Sequence, residues 1–431
     1  MNIMSNRNGV IQRHTLDNGL TIVTRELHHA PVISFWLWYR VGSRNEIPGI
    51  TGISHWVEHM MFKGTEKFPK GAIDREISRL GGSFNAMTSM DFTAYYATLP
   101  ADKIGIAMQI EADRMVNSIF DPDETEAERT VILSELHMYE NSPNYRLSQD
   151  LQAAAFQLHP YHHPTIGWES DLLSMTRDDL YEYYRTYYTP NNAIAIVVGD
   201  FQSEEMVARI EELYGHIPAG PSLPPVRFIE PPQRGERRVS VHGAEPTPRL
   251  RYAYKAPAAT NADFWPLRVL DTIIGGAKGM FGGGGNSRTN RLYRRLVDSG
   301  LVVNVGSGLR TTIDPYLYSI GMVVLPTTDH AELEKVLNEE IDRLRFERVS
   351  EEEVLRAKKQ TRANIAMGME SMSSQGRGLG RASIAATLDW FESYLASIET
   401  VTAEQIQEVA QRYLVPTQRT VGWYLPESNQ I

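Results

Sequence analysis

Two stretches of the chain share one length and one pattern of residues. Residues 176–190 read TRDDLYEYYRTYYTP, and residues 402–416 read TAEQIQEVAQRYLVP. Each begins with a Thr suited to capping a helix, carries Tyr at its twelfth position, ends in Pro and leads into an apolar stretch typical of a strand. The offset from residue 176 to residue 402 is close to half the length of the chain, so the two stretches predict an internally duplicated fold.

The same offset appears at two further places. A Leu-Pro dipeptide occurs at residues 99–100 and again at 325–326, and acidic helix starts occur at residues 124–126 and 350–352. Chance similarities do not usually share one offset. Two unrelated α+β domains are the alternative to a duplication.

A proline-rich region separates the two copies. Residues 218–225 (PAGPSLPP) and 231–235 (PPQRG) disfavour both a helix and a central strand. We therefore predict a first domain, a linker and a homologous second domain, over residues 1–218, 219–235 and 236–431.

The first half groups strands with strands and helices with helices. The predicted elements are a hairpin-type turn at Asp17-Asn18-Gly19, strands at 20–24 and 32–39, a helix near 51–63, a strand pair over 83–99, and helices after residues 100 and 123. This order indicates an α+β fold in which an antiparallel sheet is covered by helices on one side.

The composition excludes several functions. The chain has no cysteine, which excludes disulfides, thiol nucleophiles and thiolate zinc sites, so any metal must be held by His, Asp or Glu. A net charge of −10 argues against nucleic acid or an anionic membrane as a partner. We see no secretory signal in the first residues and no membrane-spanning stretch of about 18 apolar residues, so we expect a cytoplasmic protein.

The predicted helix near residue 55 has two faces. Its apolar face holds Ile53, Trp56, Val57, Met60 and Met61. A neighbouring stripe carries His55, Glu58 and His59. His55 and His59 lie one helical turn apart, so their ring nitrogens can converge on one ion with Glu58 beside them. Two surface histidines near a helical carboxylate are the alternative.

A third ligand would favour a metal site over two surface histidines. The helix after residue 123 carries Glu128 and Glu135, which are seven residues apart and share one face. Glu135 could complete a His/His/Glu site, and Glu128 could accept a hydrogen bond from a ligating imidazole. Acidic residues at a helix start often only compensate the helix dipole, but Glu135 lies too far along the helix for that role.

These residues resemble a known family. His55-Trp56-Val57-Glu58-His59, followed on a later predicted helix by Glu135, is similar to the inverted zinc motif of the insulinase/pitrilysin metallopeptidases. Further matches lie at residues 81–88 (GGSFNAMT), 91–96 (DFTAYY), 159–161 (HPY) and 164–167 (PTIG). The length of the chain is similar to that of the short bacterial relatives of the processing-peptidase β subunit. The second copy lacks the motif, since Thr361 lies at the position equivalent to Glu135.

The resemblance implies a zinc endopeptidase. His55, His59 and Glu135 would bind one Zn²⁺ per chain, Glu128 would support a ligand, and Glu58 would assist attack of zinc-bound water on a peptide bond. A strand at Asn85 and Ala86 would bind an extended peptide by strand addition. The family's two domains enclose a chamber, which favours peptides and unfolded segments as substrates.

The second half departs from the family pattern. Active members carry an Arg and a Tyr in a segment that here reads RLYRRLVD, then GLVV, which leaves Val297 and Val303 at the two positions. Valine cannot donate a hydrogen bond to a developing oxyanion. We therefore expect a heterodimer in which a homologous chain supplies the pair, with a homodimer, or compensation by Arg294 or Arg295, as the alternatives.

Two further alternatives stay open at this point. The glycine-rich residues 275–285 are either a flexible connector or a loop that handles substrate. The chain itself is either a peptidase, a non-hydrolytic assembly subunit similar to a processing peptidase, or a peptide-binding protein.

Overall fold

Two β-sheets organise the chain, for which a computed structural model describes residues 9–280 and 288–427. The first sheet is formed by β1 (Ile11–Thr15), β2 (Thr21–Glu26), β3 (Val32–Tyr39), β4 (Ser83–Thr88), β5 (Thr93–Pro100) and β6 (Ala193–Gly199). The second is formed by β7 (Arg237–Gly243), β8 (Arg249–Ala256), β9 (Val302–Leu309), β10 (Tyr316–Val324) and β11 (Arg419–Pro426).

Helices cover both sheets. Those of the first half are α1 (Ile53–Met60), α2 (Ala72–Arg79), α3 (Gly105–Asn117), α4 (Pro122–Glu140), α5 (Pro143–Ala155), α6 (Glu169–Ser174), α7 (Arg177–Tyr187) and α8 (Ser203–Tyr214). Those of the second half are α9 (Phe264–Gly275), α10 (His330–Phe346), α11 (Glu351–Gly368), α12 (Met372–Ala385), α13 (Leu388–Thr400) and α14 (Ala403–Tyr413). No helix within the described ranges is both long enough and apolar enough to cross a bilayer.

The two sheets have equivalent strand orders. The first is β1-β2-β6-β3-β5-β4 and the second is β7-β11-β8-β10-β9, so the second repeats the first, without a counterpart of β1 among the residues that the structure describes. The repeated helix of the sequence is α7 in one half and α14 in the other. Each starts at a capping box, formed by Thr176 with Asp179 and by Thr402 with Gln405. The α+β class with helix-covered sheets is confirmed.

Both sheets are mixed, and not antiparallel throughout as expected. β2 pairs with β6 in parallel, and β7 pairs with β11 in parallel. The cause is geometric. β2 and β3 are joined by a short connection and run in opposite directions, and β6 lies between them. A strand in that place must be parallel to one neighbour, and β6 is antiparallel to β3.

The chain forms two compact units, and each takes in a short segment from the other half. Within the described residues, unit 1 comprises 9–136, 163–227 and 369–380, and unit 2 comprises 137–162, 228–280, 288–368 and 381–427. Helix α5 belongs to unit 2, whereas the segment 369–380, which lies at the equivalent place in the second copy, belongs to unit 1. The predicted boundaries of the duplicated domains stay a prediction.

The core of unit 1 is built around β3. Seven of its eight residues are buried, because helices pack on one face and residues 372–380 of α12 pack on the other. Gly376 and Gly380 of that segment lie directly against the rings of Trp36 and Trp38, where a side chain would not fit. The sheet is therefore covered on both faces here, where the sequence predicted helices on one side.

Candidate metal centre

Helix α1 is held at its N-terminus by a buried carboxylate. α1 begins after Gly52, whose φ of 88° suits glycine and which has no side chain to cap the helix. Glu46 takes that role by accepting hydrogen bonds from the backbone N–H groups of Gly52 (2.8 Å) and Ser54 (2.9 Å). Burial raises the pKa of Glu46 to about 7. No signal in the sequence marks Glu46, because no helical spacing connects it to α1.

The two histidines of α1 meet a carboxylate of α4. The ring centroids of His55 and His59 are 4.5 Å apart. Oε2 of Glu135 lies 3.8 Å from Nε2 of His55 and 3.7 Å from Nε2 of His59. One ligand atom from each of the three residues lies within 4.8 Å of the other two. Within the described ranges, these three residues form the group of His, Asp and Glu side chains that could hold a metal ion. The structure therefore brings the three predicted ligands together.

The three residues fit a zinc ion. Ligand atoms about 2.0–2.2 Å from a tetrahedral Zn²⁺ would lie roughly 3.4 Å from one another. The observed separations of 3.7 and 3.8 Å need only small side-chain shifts to reach that value. Two imidazoles and one carboxylate also leave a fourth position for water, as catalytic zinc sites do. Burial and the neighbouring His59 lower the pKa of His55 to about 4, so His55 is neutral and able to ligate at pH 7.

Glu128 orients the second histidine. Its Oε1 lies 2.7 Å from Nδ1 of His59, and the ionised carboxylate can only accept, so Nδ1–H donates and Nε2 stays available for a metal. Lys63 forms an ion pair with the same carboxylate. Burial alone would raise the pKa of Glu128, but the hydrogen bonds from His59 and Lys63 lower it to about 2. The sequence predicted Glu128 in this place; it missed Lys63, although the i, i+4 spacing from His59 could have suggested it.

Glu58 lies beside this group and is buried. Its carboxylate accepts a hydrogen bond from the hydroxyl of Thr88 in β4 at 2.5 Å. Burial raises the pKa of Glu58, while the Thr88 hydrogen bond and His59 oppose that effect. Thr88 closes the GGSFNAMT stretch, but its distance from Glu58 along the chain gave no reason to pair them. The arrangement places a carboxylate able to take a proton next to a site able to hold a metal.

The predicted peptide-binding residues lie on an edge strand. Asn85 and Ala86 belong to β4, which is the last strand of the first sheet. Both pair with β5 on one side, opposite Tyr96 and Tyr95. The N–H of Ala86 donates to the side-chain oxygen of Asn85 at 2.8 Å. Their role in binding a peptide stays a prediction.

The second half lacks the equivalent metal group within its described residues. Thr361 of α11 is buried, and its hydroxyl lies 3.3 Å from that of Thr272 in α9. Hydroxyls of this kind do not replace imidazole or carboxylate ligands.

The two valines of the degenerate segment lie near the start of β9. Val297 ends a short π-helical turn, Tyr293–Val297, and Val303 is exposed on β9. Arg295 pairs with Glu339 at 2.9 Å, whereas Arg294 is exposed. Of the glycine-rich stretch 275–285, residues 281–285 lie outside the described residues, so its two interpretations stay open.

Fold and site together define a class. A chain with two equivalent mixed sheets, one of which carries a His/His/Glu group beside a buried glutamate, has the architecture of a two-domain metallopeptidase. The sequence profile of the insulinase family, peptidase family M16, matches residues 21–168, and the profile of the peptidase M16 inactive domain matches residues 174–361. The chain belongs to the insulinase family, which confirms the resemblance seen in its motifs.

Known relatives extend over most of the chain. An uncharacterized zinc protease of Mycobacterium leprae is 29% identical over 418 residues, covering 95% of this chain and 90% of the relative. A probable mitochondrial-processing peptidase subunit beta of Arabidopsis thaliana is 28% identical over 411 residues, covering 93% and 75%. The crystal structure of a protease from Helicobacter pylori superimposes with a TM-score of 0.91 at 26% identity, covering 97% of this chain and 100% of that one.

Proposed function

We propose that the chain is a zinc-dependent endopeptidase that hydrolyses extended peptides or unfolded segments. The observation that carries the proposal is the convergence of His55, His59 and Glu135, with ligand atoms within 4.8 Å of one another, beside the buried Glu58. The M16 family and the relatives named as zinc proteases support the same reading. When bound, zinc polarises a peptide carbonyl and lowers the pKa of water to about 7.

Each residue near the metal group has a separate task. Glu58 accepts a proton from the attacking water and then donates it to the leaving amine. Thr88 holds the Glu58 carboxylate in place through its hydroxyl. Glu128 keeps the proton of His59 on Nδ1, so that Nε2 is the nitrogen that ligates. The β4 edge, at Asn85 and Ala86, receives the peptide backbone as an added strand.

The proton-transfer role of Glu58 is testable with one substitution. Glu58→Gln keeps the size of the side chain but cannot take a proton, so zinc content should stay near one per chain. Hydrolysis of an unstructured peptide should fall by about 100-fold or more. Glu66→Gln, an exposed neighbour on the same segment, is the matched control and should keep full activity. Hydrolysis that survives Glu58→Gln would remove Glu58 from the mechanism.

We further propose that a homologous chain completes the active enzyme. Val297 and Val303 cannot donate hydrogen bonds to an oxyanion, and a homodimer would contain valine at both positions in each copy. Relatives named as processing-peptidase β subunits support a paired arrangement. Arg295 forms a surface ion pair with Glu339 and Arg294 is exposed, so compensation by either arginine is the alternative that the next experiment tests.

Reconstitution tests the partner. The chain is assayed alone and with a homologue from the same genome that carries the Arg and the Tyr but lacks H-x-x-E-H. We expect activity to rise when the two are mixed. Full activity from the pure chain, unchanged by the homologue, would contradict the partner. A mixture that binds zinc and peptide without hydrolysis would instead favour a non-hydrolytic assembly subunit or a peptide-binding protein.

A further inference from the structure

Unit 2 contains an open cleft on the face of its sheet. The cleft has a volume of about 590 Å³ and lies between α5 and strands β8, β10 and β9. This volume is within the range of ligand-binding pockets. None of the residues that line the cleft belongs to the metal group or to a motif described above.

Three glycines leave a gap among the side chains on the floor of the cleft. Gly321 of β10 lies directly opposite Gly306 of β9 on one side and Arg251 of β8 on the other, so the three share one face of the sheet. Gly308 pairs with Ser319 in the same way. An added Cβ at Gly306 or Gly308 would meet no atom within 4 Å. The glycines therefore leave room for another backbone to approach the sheet.

Three arginines border this floor. Arg249 and Arg251 project from β8, and Arg310 follows β9. Their observed partners are neutral: Asn144 for Arg249, at 3.2 Å, the hydroxyl of Ser148 for Arg251, and the ring face of Tyr316 for Arg310. Among the described residues that line the cleft there is no Asp or Glu. The cleft is thus strongly positive in a chain whose net charge is −10.

The positive charge of the cleft is only partly compensated. Nε of Arg249 is buried and has no hydrogen-bond partner in the described part of the chain. Burial lowers the pKa of Arg251; Tyr316 opposes this shift, and the positive charge of Arg310 adds to it. An anion placed between the guanidinium groups would relieve the repulsion between their positive charges.

We propose that this cleft binds an acidic, extended peptide segment, with Asp or Glu carboxylates on Arg249, Arg251 and Arg310. A peptide suits the site because the glycines of the floor leave room for its backbone. Guanidinium groups bind carboxylates through paired hydrogen bonds. The choice of a peptide as the ligand rests on the proposed function. The positive charge of the cleft is independent of that function.

Binding can be measured without hydrolysis. The probe is a dodecapeptide of alternating Gly and Glu with a neutral fluorophore, compared with its Gly and Gln counterpart. Both are titrated by fluorescence anisotropy against the zinc-loaded, full-length Glu58→Gln chain. We expect the Glu peptide to bind about tenfold more tightly, and the preference to shrink as salt is added. Equal affinity for the two peptides would overturn the proposal even if the zinc peptidase assignment holds.

Two substitutions locate the binding. Arg310→Gln changes an exposed side chain and should reduce the preference about threefold or more, while Arg234→Gln, exposed in the same unit but outside the cleft, should leave it unchanged. Gly306→Val fills the floor with a residue that suits a strand and should weaken both peptides. An undiminished preference in Arg310→Gln would overturn the proposal, and so would unchanged affinities for both peptides in Gly306→Val. Competition with an oligothymidylate is the last check. If it displaces the labelled Glu peptide at a lower concentration than unlabelled Glu peptide does, the site favours nucleic acid and the proposal is overturned.

Discussion

Replacing Glu128 by Gln would weaken the metal centre without removing a ligand. Nδ1–H of His59 donates to Oε1 of Glu128 at 2.7 Å, and this contact directs Nε2 of His59 toward Glu135. The amide of Gln is nearly the same size but has no charge, and it can present an N–H to the imidazole in place of an oxygen. His59 then loses the partner that fixes its tautomer and raises its basicity.

The size of the effect follows from the electrostatics of this carboxylate. The pKa of Glu128 is about 2, against its ordinary value of 4.5. A difference of that size corresponds to about 3 kcal/mol of favourable interaction with His59 and Lys63 together. Lys63 accounts for part of it and does not touch the metal group, so we expect zinc affinity to fall about tenfold to hundredfold, or about 1.4 to 2.7 kcal/mol.

The assay is a zinc titration in competition with a chelating dye. Glu124→Gln is the matched control, because Glu124 lies on the same helix and also contacts Lys63, at 3.5 Å, but has no contact with His59. We expect a higher zinc Kd for Glu128→Gln and an unchanged one for Glu124→Gln. A zinc Kd that is the same in both variants and in the unaltered chain would refute the reasoning. An equal rise of the zinc Kd in the two variants would refute it as well.

Three further predictions concern the fold that supports the site. The pKa of Glu46 is about 7 in the folded chain, above its ordinary value of 4.5, so the folded chain binds an extra proton between these two pH values. This proton contributes on the order of 3 kcal/mol to the free energy of unfolding. The contribution is fully present below about pH 4.5 and is lost as pH rises through 7. Urea unfolding at pH 5 and pH 8 should show it in the unaltered chain and not in Glu46→Gln. Gly52→Ala should destabilise the chain by about 2 kcal/mol or more, because φ is 88° and a Cβ would overlap the carbonyl oxygen of Ile166; thermal unfolding would show this, and an unchanged Tm would count against it. Gly380→Ala should cost about 1–3 kcal/mol by overlap with the Trp38 ring, a loss that denaturant titration would detect and that wild-type stability would disprove.

The candidate metal-binding group was predictable because the relations within each helix are local. His55 and His59 are four residues apart on one helix, and the seven-residue spacing of Glu128 and Glu135 puts both on one face of another. Only the meeting of the two helices needed the resemblance to a family. The duplication was predictable for a similar reason, since a repeated helix and its following strand keep their spacing in the sequence.

The remaining features depend on contacts between distant parts of the chain. The parallel pairing of β6 follows from its insertion between β2 and β3, although β3 ends at Tyr39 and β6 begins only at Ala193, and no local pattern reveals such a pairing. The exchange of short segments between the units has the same character. Glu46 is close in sequence to α1, but its burial and its hydrogen bonds arise only when the loop folds back. The positive cleft of unit 2 is likewise formed by residues from three strands and one helix that are far apart in the sequence.

The central claim is that this chain holds one zinc ion between α1 and α4. Crystals of the chain loaded with one equivalent of zinc can be measured at the zinc absorption edge, where anomalous scattering locates the metal directly. We predict a single peak, about 2.0–2.2 Å from Nε2 of His55, Nε2 of His59 and a carboxylate oxygen of Glu135. A peak bound to other residues, or a structure of the zinc-treated chain without a peak at these three side chains, would contradict the account.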